Sequence, residues 1–254
     1  MKRRWYVVAA SMTFLLGLVW QAPAATLYAW FSAKQANAGA ALYGVQGSVG
    51  DGRASSLRVN AQPLLDDLHW HWTLWRLLLA QAAFRLDGGG EQASLEGRIA
   101  VLPTGGVNLD GLHARLPLKT LLVGAGQPYL PLDGRAALTL DTLKIRSHQL
   151  RAAEGTVQLQ GLAWTLAASP VNLGDFKADI TTDHDDIVAK IESVGPGPVE
   201  ANGELKLTPD QNYNFHLQWR PRADASAMVR NLVGSTGTPD SQGWFHLRQQ
   251  GRLP

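Results

Sequence analysis

Glycine-punctuated alternation is the feature that most limits how this chain can fold. From about Leu42 onward, apolar and polar residues alternate in short runs bounded by glycine, as at 97–101, 134–140, 155–159 and 203–207. Successive side chains of a strand point to opposite faces, so each run predicts a strand with one apolar and one wet face. An antiparallel sheet that covers a core on one side carries this pattern. Turn residues separate the runs, at Gly88-Gly89-Gly90, Pro103-Thr104-Gly105-Gly106, Asp183-His184-Asp185-Asp186, Gly195-Pro196-Gly197-Pro198 and Pro209-Asp210-Gln211-Asn212. Their spacing predicts a meander. The fold class expected is mainly β, a curved antiparallel sheet.

Two segments break the rhythm. Residues 118–123 and 223–233 place apolar residues at helical spacing, the second through Ala227, Met228, Leu232 and Val233. Each follows a charge-proline group, Arg115-Leu116-Pro117 or Arg220-Pro221-Arg222. Each precedes a loop and a further strand, through Pro131 and Gly134 or Pro239 and Gly243. The parallel predicts two short helices and an internal duplication around 107–145 and 213–254.

Ahead of the array, residues 5–33 contain no Asp, Glu, Lys or Arg. That exceeds the roughly 20 residues an α-helix needs to cross the hydrocarbon core. A single transmembrane anchor is expected within 1–33, with Phe14, Leu15, Leu16, Leu18 and Trp20 in the span. Trp5 and Tyr6 would form one interfacial belt, and Tyr28, Trp30 and Phe31 the other. Lys2, Arg3 and Arg4 precede the span and only Lys34 lies just beyond, so the start is expected in the cytoplasm and 34–254 outside. The competing reading is a cleaved signal peptide, with Ala22-Pro23-Ala24 as the small-residue site. The apolar run before it is long for such a signal, and apolar residues resume at 27–31, which favours the anchor. Both readings export the remainder, to the periplasm in a Gram-negative cell.

The exported part has 20 basic against 21 acidic residues, the whole chain 23 against 21. Such a balance gives no grip on nucleic acid. Cys is absent, which excludes disulfides, thiolate metal sites and cysteine nucleophiles. Ser193, Ser226 and Ser241 lie outside any G-x-S-x-G elbow, and no local pattern joins one to a His and an acid. His69 and His71 share a strand face, and Asp183-His184-Asp185-Asp186 gathers acids around a His. A wet strand face and a solvated hairpin tip account for both better than a metal does. Gly88-Gly89-Gly90 and Gly124-Ala125-Gly126 lack the lysine and spacing of a phosphate loop. No cofactor and no catalysis are expected. The nine tryptophans are the unusual component. Trp70, Trp72 and Trp75, before the apolar residues 77–80, read either as aromatic filling of a one-sided sheet or as an interaction surface.

The order of these features resembles the type II secretion system protein N family, the N component of the general secretory pathway of Gram-negative bacteria. The likeness starts at Ala22-Pro23 and at Leu42-Tyr43-Gly44-Val45-Gln46-Gly47, followed by Gly52-Arg53-Ala54, with Gly50 where the family commonly has tryptophan. It continues through Trp70 and the run to Ala80, with Leu74 in place of a frequent proline, then 155–164, Leu173-Gly174, and 195–213 with Gly203, Leu205 and Leu207. The tail carries it furthest, in Trp219-Arg220-Pro221-Arg222, Leu232, Gly237, Gly243 and Gly251. The resemblance implies a single-pass inner-membrane protein with a periplasmic domain. Such a protein is an accessory to the machine that moves folded proteins through an outer-membrane secretin, and it carries no catalytic residues. Implied partners are other secretion components, the inner-membrane platform and the secretin. The glycine-punctuated strands are also similar to AsmA-like groove proteins, whose curved sheets handle lipid. That second reading predicts a lipid ligand and a continuous apolar lining from alternate residues, including Val157 with Leu159 and Leu205 with Leu207.

Overall fold

The computed structural model describes residues 20–34, 40–59, 62–73, 82–102, 105–124, 126–147, 149–166 and 169–252. Helix α1 (Ala24–Lys34) leads into β1 (Ala40–Tyr43), β2 (Gln46–Gly47), β3 (Asp51–Ala54), β4 (Ser56–Val59), β5 (Gln62–Leu65) and β6 (Asp67–Trp72). Strands β7 (Ala82–Gly89), β8 (Ser94–Val101) and β9 (Val107–Pro117) follow, then helix α2 (Leu118–Gly124). Beyond it lie β10 (Leu132–Arg146), β11 (Gln149–Trp164), β12 (Val171–Asp183), β13 (Asp186–Val194), β14 (Val199–Leu207) and β15 (Asn212–Pro221). Helix α3 (Ala227–Gly234) and β16 (Phe245–Arg252) complete the described chain.

Each of the four sample runs lies within a strand, and the hairpins join sequence neighbours as a meander. Thirteen strands form one antiparallel sheet in the order β16 through β6, then β3 and β2. A small sheet, β1-β4-β5, pairs β1 with the excursion of β4 and β5 between β3 and β6. The longest strand, β11, has 16 residues, about 50 Å of extended chain. Strands this long stay together by bending. β10 carries an extra residue between Leu140 and Thr142, opposite Gly155 and Glu154. Gly155 has φ +148°, and a Cβ there would lie 2.2 Å from the carbonyl oxygen of Thr139. Glycine is therefore required where the bulge turns β10 against β11.

Both expected helices are present, each inside the connection between two paired strands, β9 with β10 and β15 with β16. The second starts later than its apolar spacing suggests. Ser226 is held in an extended conformation, and its Oγ accepts from the Val229 N–H at 3.3 Å, so the helix begins at Ala227. Val229 and Val233, one turn apart, are buried beneath it.

The N-terminal apolar stretch departs from a single spanning helix. Residues 1–19, which include Lys2, Arg3, Arg4, Trp5, Tyr6, Phe14, Leu15, Leu16 and Leu18, lie outside the described residues. In the part described, the helical turn at Trp20 and Gln21 breaks at Ala22-Pro23. Proline has no N–H to continue a helix and crowds the preceding turn. The chain here pairs with the sheet instead: Pro23 bridges Ser48, Val49 N–H donates to Ala22 O at 3.0 Å, and Gly50 N–H donates to Trp20 O at 3.1 Å. α1, with 11 residues, is about 16 Å long, short of the roughly 30 Å of a bilayer core. Among the described residues no helix is long and apolar enough to cross a membrane. Tyr28, expected in a belt, accepts a hydrogen bond from Leu42 N–H at 2.7 Å, which ties α1 to β1. Trp30 is exposed, and the Phe31 side chain lies outside the described residues.

Candidate interaction surfaces

Register converts the alternation into two faces. One row of directly paired residues crosses twelve strands: Ala54, Leu68, Gly88, Leu95, Ala114, Leu138, Val157, Ala178, Ile191, Gly203, Leu217 and Leu247. Every member is apolar or glycine. The adjacent row is offset by one residue and so faces the other way. It runs Ser94, Arg115, Ala137, Gln158, Lys177, Glu192, Asn202, Gln218 and His246. The sheet is thus oily on one side and wet on the other across its whole width.

The apolar face is covered unevenly. Over β6 to β10 the small sheet and α2 close it, with Leu65, Leu68, Ala114 and Leu116 buried and Leu121 packed against them. Over β12 to β16 α3 covers one end, where Val229 and Val233 pack with Val171, Val199 and Phe245. At the other end Ala153, Ile187 and Leu207 form a third cluster with Tyr213 and Leu150. Between these last two clusters lie Val157, Ala178, Ile191, Leu205, Phe215 and Leu217. They are half-buried and belong to none of the three clusters. They form an apolar strip on β11 to β15. The expected pairs Val157 with Leu159 and Leu205 with Leu207 lie on this face.

A polar clamp lies at the far end of this strip. Gln211, in the β14–β15 turn, is 6% exposed. Its Nε2 donates to Leu150 O at 3.1 Å, and its Oε1 accepts from Leu150 N–H at 3.3 Å. The turn thereby reaches past β12 and β13 to the start of β11.

The aromatic residues divide. Trp70 and Trp72 lie on the apolar side of β6, Trp72 at 5% exposure and Trp70 half-buried with its Nε1 donating to Ser48 O. Trp72 stacks between Trp20 and Phe84, at centroid distances of 5.8 and 5.7 Å. Trp75 and residues 77–80 lie outside the described residues. A Cβ at Gly50 would lie 2.3 Å from the Trp20 ring, so glycine there makes room for the docked indole. Sequence reasoning missed Trp20 as a contact of the sheet, because it lies in an apolar run that reads uniformly as membrane span.

The titratable groups are dispersed. His69 and His71 are exposed on the wet face of β6, with His69 3.1 Å from Asp67 and His71 3.9 Å from Asp51. His184 and Asp185 have positive φ and form the two-residue turn of the β12–β13 hairpin. Among the described residues no three His, Asp or Glu gather as a metal site. Two open hollows of about 780 and 480 Å³ lie against the wet face and share Ser94, Arg115 and Gln160.

In the connection from α3 to β16 Asp240 anchors a turn. Its Oδ1 accepts from the Gln242 and Trp244 N–H groups, and its Oδ2 lies 2.8 Å from His246 Nε2. The His246 hydrogen bond first, and these backbone donors, hold its carboxyl below the ordinary value. Arg220 bonds to Glu200 at 2.8 Å and lies over the Trp244 ring.

A family model described as type II secretion system (T2SS), protein N matches residues 38–248. The chain is 28% identical over 227 residues to the type II secretion system protein N of Vibrio cholerae serotype O1, covering 85% of this chain and 86% of that one. It is 26% identical over 215 residues to the protein of the same name from Aeromonas hydrophila, 84% of each chain. With the Klebsiella pneumoniae protein of that name the identity is 29% over 169 residues, 65% of this chain and 61% of the relative. No solved structure matches the chain.

Proposed function

The chain belongs to the type II secretion system protein N family, and from that premise we propose that it is an inner-membrane accessory of the secretion system, acting by interaction rather than by catalysis. The cytoplasmic start is basic, the apolar segment anchors it, and the sheet stands in the periplasm beside the platform and the secretin. The observation that carries this reading is the family match over nearly the whole sheet. The Trp20 contacts support it, because they seat the end of the apolar segment against β6 and β7 and hold the sheet close to the anchor. The test follows a secreted hydrolase in cells lacking the gene. Periplasmic retention that the full chain reverses is the expected result, and normal secretion in its absence excludes the role.

The half-buried apolar strip on β11 to β15, which belongs to none of the three buried clusters, favours a second reading, a groove for a phospholipid acyl chain. Mass spectrometry of lipid retained by the purified full chain tests it. Phospholipid that falls severalfold in an Ile191→Glu, Leu205→Glu variant supports the groove, and retention indifferent to these substitutions removes it.

A further inference from the structure

Among the described residues the thirteen-strand sheet ends at β16, and this edge differs in kind from the other. The opposite edge, β2, is two residues long. β16 is eight residues, pairs with β15 without a register shift from Asn212↔Arg252 to Trp219↔Phe245, and contains no proline. Apart from Phe245, all of its residues are exposed. Such an edge offers unpaired backbone donors and acceptors to an added strand.

Its side chains specify what kind of strand. His246, Arg248, Gln250 and Arg252 share the wet face, and the segment 245–254 holds no Asp or Glu. Among the described residues neither Arg248 nor Arg252 has a carboxylate partner, whereas Arg220 on β15 is paired with Glu200. On the other face Leu247, 42% exposed, ends the apolar row that crosses the sheet.

We propose that β16 is a docking edge for an extended segment of a partner protein that carries two acidic residues four positions apart and apolar residues on the alternate face, one of them next to the acid opposite Arg248 and outside the acid pair. The two acids stand opposite Arg248 and Arg252, and an apolar side chain beside Leu247 carries the row one strand further. Cross-strand pairs of opposite charge are favourable and like charges opposed are not. A second copy of this chain is therefore a poor occupant, since β16 has no Asp or Glu to set against Arg248 and Arg252, and pairing about Gln250 sets these two arginines against each other. The inference names the surface used in the secretion role above and rests on that reading only for the source of the partner.

The probe is a nine-residue synthetic peptide of alternating Thr and Val with Glu at the third and seventh positions, its binding to the full chain read by fluorescence anisotropy at low salt. The same peptide with Lys at those positions is the control. Binding of the Glu peptide, about tenfold or more weaker to an Arg248→Glu, Arg252→Glu variant, with the Lys peptide showing the reverse preference, is the expected result. The reversal also shows that the variant is folded. Failure of the Glu peptide to bind, or binding that ignores the charge exchange, overturns the proposal. Hydrolase secretion by cells lacking the gene altogether reports on the secretion role independently of this edge.

Discussion

Gln211 is a buried polar residue with φ +66°, in a turn that spans 61 residues of sequence to reach Leu150. Two effects compete there: a left-handed backbone is costly for any residue but glycine, and the amide satisfies both backbone groups of Leu150. Leaving such groups unpaired costs about 1–3 kcal/mol, more than the strain of one αL residue, about 1 kcal/mol. Gln211→Ala should lower the unfolding free energy by about 2 kcal/mol in urea, and Gln211→Gly should also destabilise; a stabilised glycine variant would mean that strain outweighs the clamp. Asp240 gives a pH signature. Its carboxyl is held below the ordinary 3.8, so its contribution is fully present above that value and is lost as pH falls through the lower folded value. Acid titration of stability in Asp240→Asn should show a shallower loss below pH 3.8 than the parent chain, and superimposable curves would remove the turn from the acid response. Neither residue announces its role in sequence, because Pro209-Asp210-Gln211-Asn212 looks like any polar turn and its partner is far along the chain.

Strands and helices were the most legible level. A period of two over five or more residues leaves little choice but a half-buried strand, and helical spacing marked α2 and α3 to within a few residues. The apolar start was less legible, since hydropathy does not register one proline as a break between an apolar run and a sheet contact. That break makes a definite expectation about processing. Cleavage at Ala22-Pro23-Ala24 would remove Trp20 from the stack with Trp72 and delete the bonds that Val49 and Gly50 donate to Ala22 and Trp20. The chain recovered from cells should therefore retain Trp20 and Ala22, as read from its N-terminal peptides, and an N-terminus near residue 25 would refute the anchored reading.

At the scale of the molecule, the two-faced character of the sheet was visible in the alternation, but the unbroken row was not. Its register depends on bulges, at Leu140 and elsewhere, that no local pattern locates. Nor does composition reveal that the buried residues form three separate clusters under a single layer. Separate clusters open separately. Amide exchange should resolve at least two cooperative units, with β6 to β10 distinct from β13 to β16, and a single common opening free energy would contradict this division.

The meander also orders events in time. From β7 to β16 each strand pairs with the one made just before it, so a chain delivered N-terminus first can add strands in the sequence in which they arrive. Each newly exposed border is sealed by the next few residues to emerge. Among the described residues, the border left without a following strand is the one furnished with arginine.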